Sequence, residues 1–261
     1  MHGKRFRNSM LLVSALALSG ALYGCGSDDK SSDATTAATT AATTAATTAA
    51  TTATPVGAEF NQALHDALPQ EIQDKGVLTL ATDPTDPPLE FYNESNELVG
   101  AEVDLAEALG TILGVEVELV PSKFDAIIPG VDAGRFDGSL SGFADRVERQ
   151  KVVDFVDFFT SSRGYLIQTG TQPDLAAATD LCGLKVAGAK GTTRADSIVM
   201  LNEECDAAGK DAIDGQIYPD QGACVLAVQS GRADLTILSD HAALAIAQNS
   251  NGELDVILRP K

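Results

Sequence analysis

The stretch TDPTDPP sets two carboxylates, Asp83 and Asp86, three residues apart among prolines. Such a pair can do general acid–base work when its surroundings pull the two pKa values apart. Catalysis also asks for a nucleophile, a histidine or a metal cluster, and these are scarce. His2 lies in the opening residues, His65 precedes the first strand pattern, and His241 follows Asp240 at the start of a helical pattern. That scarcity argues against an enzyme and gives no set of residues for a metal or cofactor. Gly191-Thr192-Thr193 follows an apolar run and opens a helical one. The N–H groups of such a helix start bind an anion without any special side chain. An ordinary helix cap explains the triplet equally well. Arg149, in RVERQ, offers a forked cation suited to a carboxylate. Between Glu148 and Lys151 it also reads as a plain surface arginine.

These residues sit in a chain whose pattern changes at about residue 58. Beyond it, short runs rich in β-formers alternate with helical periodicity. VLTLAT (77–82), VEVELV (115–120) and FDGSLS (136–141) read as strands, separated by helices over 100–114, with acids on one face, and 124–134. After Gly164 the rhythm resumes with GYLIQT, LKVAGA, AIDGQIY, ADLTIL and LDVIL, and with helices from Thr193, Asp220 and Asp240. Alternation of this kind predicts an α/β protein with parallel sheets covered on both faces. A net charge of −19 disfavours nucleic acid as a partner, since its phosphates would meet a like-charged surface.

The first residues carry a different message. A cationic segment precedes SMLLVSALALSGALYG, an apolar core of secretory length that Ser14, Ser19 and Gly20 interrupt. Leu22, Gly24 and Cys25 are similar to the bacterial lipobox, which makes residues 1–24 a signal peptide and Cys25 a lipidated first residue. The plainer alternative is a signal peptide with a chance cysteine. Residues 25–58, dominated by Thr and Ala pairs, hold almost no large apolar side chain and read as a disordered stalk of the kind that carries O-glycans. Lipid and stalk together would hold a folded domain at the cell membrane on its extracytoplasmic side.

Several ordered motifs then carry a specific resemblance. GVLTLATDPTDPPLEFYNESNELVGAEVDLAEALG, FDAIIPGVDAGRFDGSLSGFADRVERQKVVDFVDFF, LCGLKVAGAKGTTRAD and SGRADLTILSDHAALA resemble the bacterial extracellular solute-binding proteins, family 3. The match looks closest to actinobacterial lipoproteins of that family, which serve ABC importers of polar amino acids. The resemblance implies a two-lobed, periplasmic-binding-protein-like (type II) α/β fold, with lobe 1 over 59–163 and lobe 2 over 164–258. Residues 259–261 would begin a return crossing to lobe 1, so the fold is expected to be truncated at the C-terminus and to expose apolar surface on lobe 1. An ABC permease in the membrane is the implied partner, and a monomer the implied state.

The same resemblance assigns residues. Arg149 matches the arginine that clamps a ligand α-carboxylate, and Asp240 matches the carboxylate that holds the α-ammonium, with Ser239 competing because the spacing here is one residue longer. Ser141, Gly142 and Ala144 match the loop whose backbone faces the ligand, and Gly191, Thr192 and Thr193 match its counterpart in lobe 2. Phe124 matches the apolar wall, although a Phe opening a helix is also ordinary core. Asp86 stands where relatives present an aromatic ring, and Asp83 matches an acid near the ligand side chain. Two carboxylates beside one pocket favour a basic or amide amino acid over glutamate. The alternative for Asp86 is a turn facing solvent. Cys182, in the LCGxKV motif, is expected to bridge Cys205, stabilising by about 3 kcal/mol on the chain-entropy account. Cys224 would then be a buried free thiol.

Overall fold

The computed structural model describes residues 57–259. The signal peptide, Cys25 and most of the stalk lie outside the described residues, as do Pro260 and Lys261. Two short helices, α1 (Gln62–Asp66) and α2 (Gln70–Lys75), lead into lobe 1. Its central sheet is parallel, with β1 (Val77–Thr82) between β5 (Glu116–Pro121) and the two-residue β6 (Gly138–Ser139). Between β1 and β5 run β2 (Thr85–Asp86), β3 (Glu90–Tyr92) and β4 (Leu98–Val99), an antiparallel meander that strand and helix patterns did not reveal. Helix α3 (Ala101–Leu113) follows, and α4 (Phe124–Asp132) joins β5 to β6.

Gly100 sets the entry to α3. Its φ is +134°, and a Cβ there would lie 2.1 Å from the Leu89 carbonyl oxygen. Only glycine allows the meander to dock so closely on the helix start. The acids of α3 do not share one solvated face: Glu102 is 1% exposed. The reason is tertiary, since the Glu102 N–H bonds the Leu89 carbonyl at 2.9 Å and carries the side chain inward behind the meander.

A short helix, α5 (Val147–Gln150), and an irregular run lead to lobe 2. There β7 (Arg163–Gln168), β8 (Lys185–Ala189), β9 (Asp214–Tyr218), β10 (Leu235–Ser239) and β11 (Leu254–Arg259) form one sheet in the order β11-β7-β10-β8-β9. This sheet is mixed, which corrects the expectation of parallel pairing throughout. The crossover through α8 (Asp240–Gln248) is the expected parallel unit, with β10 and β11 pointing the same way. However, β7 is inserted between them and runs antiparallel to both.

Alternation along these strands feeds two apolar layers. Tyr165, Ile167, Val186, Leu235 and Ile237 pack beneath α6 (Thr193–Ala207) with Ile198 and Leu201. Leu166, Ala187 and Leu238 face α7 (Gln221–Gln229) and α8, against Cys224, Ala227, Val228, Ala242 and Ala243. Cys182 and Cys205 form a disulfide that ties the turn before β8 to the end of α6, across a separation of 23 residues. Cys224 is buried and free, and burial pushes its thiol up to about 12.

Candidate ligand cleft between the lobes

The predicted site residues gather where loops of the two lobes meet. Asp83 ends its run at the top of β1, 7% exposed. Its Oδ2 accepts from the Phe124 N–H at 3.2 Å, and its own N–H donates to Ser141 Oγ at 2.9 Å. Burial raises its pKa to about 6 against hydrogen bonds from Thr85 and Phe124, with Asp220 and Asp86 adding repulsion. Asp83 therefore caps the start of α4 and anchors the next loop. Gly142 donates its N–H to Glu102 Oε1 at 3.0 Å, so the amide expected to face a ligand is already bonded.

Phe124 stacks on Phe143 with ring centroids 4.1 Å apart, and the Arg149 guanidinium lies over both rings. Arg149 donates to the Ala144 carbonyl at 2.8 Å and to the Gly191 carbonyl at 3.0 Å. It thus spans from lobe 1 to lobe 2. Its pKa is lowered by burial first, and then by Arg146 and Arg194. Gly191, at φ +78°, packs so closely on α4 that a Cβ would sit 2.8 Å from Asp125 Cβ. Beside it, Lys190 Nζ lies 2.7 Å from Asp125 Oδ2. Thr192 is the N-cap of α6: its Oγ1 accepts from the Ala195 N–H at 3.2 Å and donates to the Ala189 carbonyl at 2.7 Å. Thr193 is the first residue of the helix.

A second set of contacts surrounds Asp86. Its Oδ1 accepts from Gln221 Nε2 at 3.1 Å and Ser239 Oγ at 3.4 Å, and its Oδ2 lies 3.6 Å from His241 Nε2. Gln221 also donates to the Thr85 carbonyl at 2.9 Å. Asp86 is not a solvent-facing turn; it ties β2 to lobe 2. Ser239, 2% exposed, reaches Asp86 and His241 from the end of β10. Asp240 sits one step further on and keeps a third of its side chain exposed. Burial raises its pKa, but the His241 and Ser162 N–H groups and His241 itself outweigh this and hold it low. The residue in contact with lobe 1 is thus Ser239.

Three further arginines open onto a groove of about 490 Å³ that runs from Ala144 and Thr193 along β7. They are Arg146, Arg163 and Arg194, with Ser161, Ser162 and Tyr165 between them. Burial lowers the Arg194 pKa, aided by Arg163 and opposed by Asp86 and Asp240. Among the described residues no arginine makes an ion pair. Sequence reasoning missed Arg194, Gln221 and the arginine groove. The one signal was position, since Arg194 follows Thr193 in the first turn of α6. A separate groove of about 560 Å³ beside Cys182 shares no residue with this cleft.

The comparisons with known proteins agree with this two-lobed arrangement. A sequence profile of the bacterial extracellular solute-binding proteins, family 3, matches residues 78–258. The chain belongs to that family. Among curated relatives, the arginine-binding protein ArgT of Corynebacterium glutamicum is 30% identical over 73% of this chain and 62% of its own length. The chain thus spans less than two-thirds of that relative. Among solved structures, an ancestral arginine-binding protein bound to arginine matches with a TM-score of 0.64 at 30% identity, over 70% of this chain and 78% of its own. The amino acid ABC transporter substrate-binding protein AbpA of Streptococcus pneumoniae, bound to L-arginine, gives 0.65 at 27% identity, over 72% and 77%. These family members are named for amino-acid binding, not for turnover.

Proposed function

We propose that this chain is the extracytoplasmic receptor of an ABC importer and binds a polar amino acid between its two lobes. Cys25 carries the lipid, the Thr/Ala segment is the tether, and a permease receives the ligand. An amino acid brings a carboxylate and an ammonium, so its cleft needs anchors of both signs. Support comes chiefly from the gathering of Arg149 and Arg194 with Asp86 and Ser239 at one seam. The α-carboxylate goes to Arg149 beside the Gly191–Thr193 helix start, where fork geometry and the positive end of α6 favour it. The ammonium goes to the Ser239–Asp240 corner, and the rings of Phe124 and Phe143 wall the stem. Ligand entry exchanges the carbonyl partners of Arg149 for the carboxylate.

The solute is a basic or amide amino acid. Asp83 and Asp86 repel an acidic side chain, and the ArgT, ancestral and AbpA proteins are named with arginine. Titration calorimetry with arginine, lysine, ornithine, glutamine and glutamate tests this. Arginine or glutamine binds more tightly than glutamate; the reverse order overturns the solute class, and no binding at all overturns the receptor reading. A Cys25→Ser chain that stays membrane-bound after correct cleavage overturns the lipid anchor.

A further inference from the structure

Two glutamates lie inside lobe 1, directly behind the loop that carries Ser141 and Gly142. Glu90 opens β3 and Glu102 sits in the first turn of α3, and each is 1% exposed. Neither has a cationic partner among the described residues. One oxygen of each is accounted for. Ser141 Oγ donates to Glu90 Oε1 at 3.0 Å, and the Gly142 N–H donates to Glu102 Oε1 at 3.0 Å. The remaining oxygens, Glu90 Oε2 and Glu102 Oε2, are buried without a partner. Adjacent loop residues hold the two carboxyls, and the Glu102 N–H bonds the carbonyl of Leu89, next to Glu90. Two acceptor-only groups so placed have one economical solution, which is a proton between them.

We propose that Glu90 and Glu102 share a single proton, and that this acid–carboxylate pair is the brace that positions the Ser141–Gly142 loop for the ligand. They act as positioning residues, and this role rests on the reading of the seam as the ligand cleft. Glu102 receives a backbone N–H, which favours its charged form, so Glu90 is the acid and donates through Oε2. Burial raises both carboxyls, and mutual repulsion with nearby Asp86 on β2 adds to it; His241 on α8 pulls Glu102 the other way. The brace extends further, because Ser141 Oγ accepts from the Asp83 N–H and Asp83 caps α4 at Phe124.

A carboxyl raised in the folded state contributes stability that is complete below its unfolded pKa, about 4.5, and is lost as pH rises through the folded value. Deprotonating Glu90 puts two like charges into one interior and frees the loop. Glu90→Gln supplies an amide N–H where the acid O–H stood, so it keeps the brace at every pH, whereas Glu90→Ala removes it.

The test compares wild type with Glu90→Gln from pH 7 to pH 12, which brackets the folded value of about 11, with arginine and glutamine as probes. The ratio of wild-type to variant dissociation constants cancels the ligand's own titration. We expect that ratio to rise at least tenfold over the range. A ratio that stays within threefold overturns the brace. The protection factor of the Gly142 amide, measured without ligand by hydrogen exchange, decides the same point if no amino acid binds. It falls with pH in wild type and holds in Glu90→Gln; equal falls in both overturn the proposal. Glu90→Ala should show the loosened loop already at pH 7.

Discussion

Lobe 2 keeps two apolar layers, one on each face of its five-stranded sheet, and a disulfide closes one edge. Lobe 1 has a three-stranded sheet whose buried apolar cluster is Leu80, Ala106 and Leu140, with Leu78, Leu105, Leu109, Val117 and Leu119 packed around it. Its interior also holds Thr82, Asp83, Glu90, Glu102 and Ser141. Val147, Val152, Val156, Phe158 and Phe159 lie exposed along the run toward lobe 2. The lobe that supplies most of the cleft's acids thus gives up core for hydrogen-bonded polar groups. Lobe 2 is the platform, and lobe 1 carries the finer chemistry.

Five substitutions would break or sharpen that contrast. Arg149→Ala removes the one side chain among the described residues that bonds carbonyls of both lobes, and with it the proposed partner of the ligand carboxylate. We expect amino-acid binding to weaken by about 2–5 kcal/mol in calorimetry; unchanged affinity would take Arg149 out of the cleft. Cys205→Ser opens the clasp of lobe 2 and should cost about 3 kcal/mol in denaturant melts. A cost near zero would mean that the apolar layers alone carry that lobe.

Asp83→Asn asks whether the polar interior of lobe 1 is under electrostatic stress. A carboxyl raised from 3.8 to about 6 contributes stability that is complete below pH 3.8 and lost as pH rises through 6. The asparagine escapes that loss while its Oδ1 still accepts from Phe124. The variant should therefore gain about 2–3 kcal/mol on wild type between pH 4 and pH 7.5, read from melts across that range. A pH-independent difference would show that Asp83 is not strained. The smallest effect separates the two corner residues. Ser239→Ala should weaken binding by about 1 kcal/mol through its lost seam hydrogen bond. If Asp240→Asn weakens binding more, the ammonium is held by the carboxylate and not by the buried hydroxyl.

Much of this architecture was legible because it is local. β1, β5, β8 and β10, and helices α3, α4, α6, α7 and α8, all start or end within a few residues of the apolar pattern that announced them. The Thr192 cap was one of the two readings that residue type offered, and the Cys182–Cys205 bridge was what the family resemblance implied. Long-range facts were not. Strand pattern cannot say that β7 runs antiparallel between β10 and β11, because direction depends on where the chain arrives from. A two-residue strand such as β6 owes its pairing to β1, not to its own composition. Glu102 was read among the acids on one face of its helix and Glu90 drew no reading, and only the docking of the meander on α3 buries them. Asp86 was read as either ligand-facing or solvent-facing, whereas its partners Gln221, Ser239 and His241 lie at least 135 residues along the chain.

The close packing of Gly191 on Asp125 makes this one position a doorstop. Replacing its hydrogen by a methyl group would strain the φ +78° turn in any arrangement of the lobes, whereas the push on Asp125 Cβ from 2.8 Å would penalise only the joined lobes. Such a protein spends more of its time open, and every ligand must first make up the fraction of molecules that are competent to hold it. Affinity would then drop by one common factor for all solutes while their rank order stayed fixed. Residue 191 would thus be a volume control for the proposed receptor, separate from the contacts that decide which solute it hears.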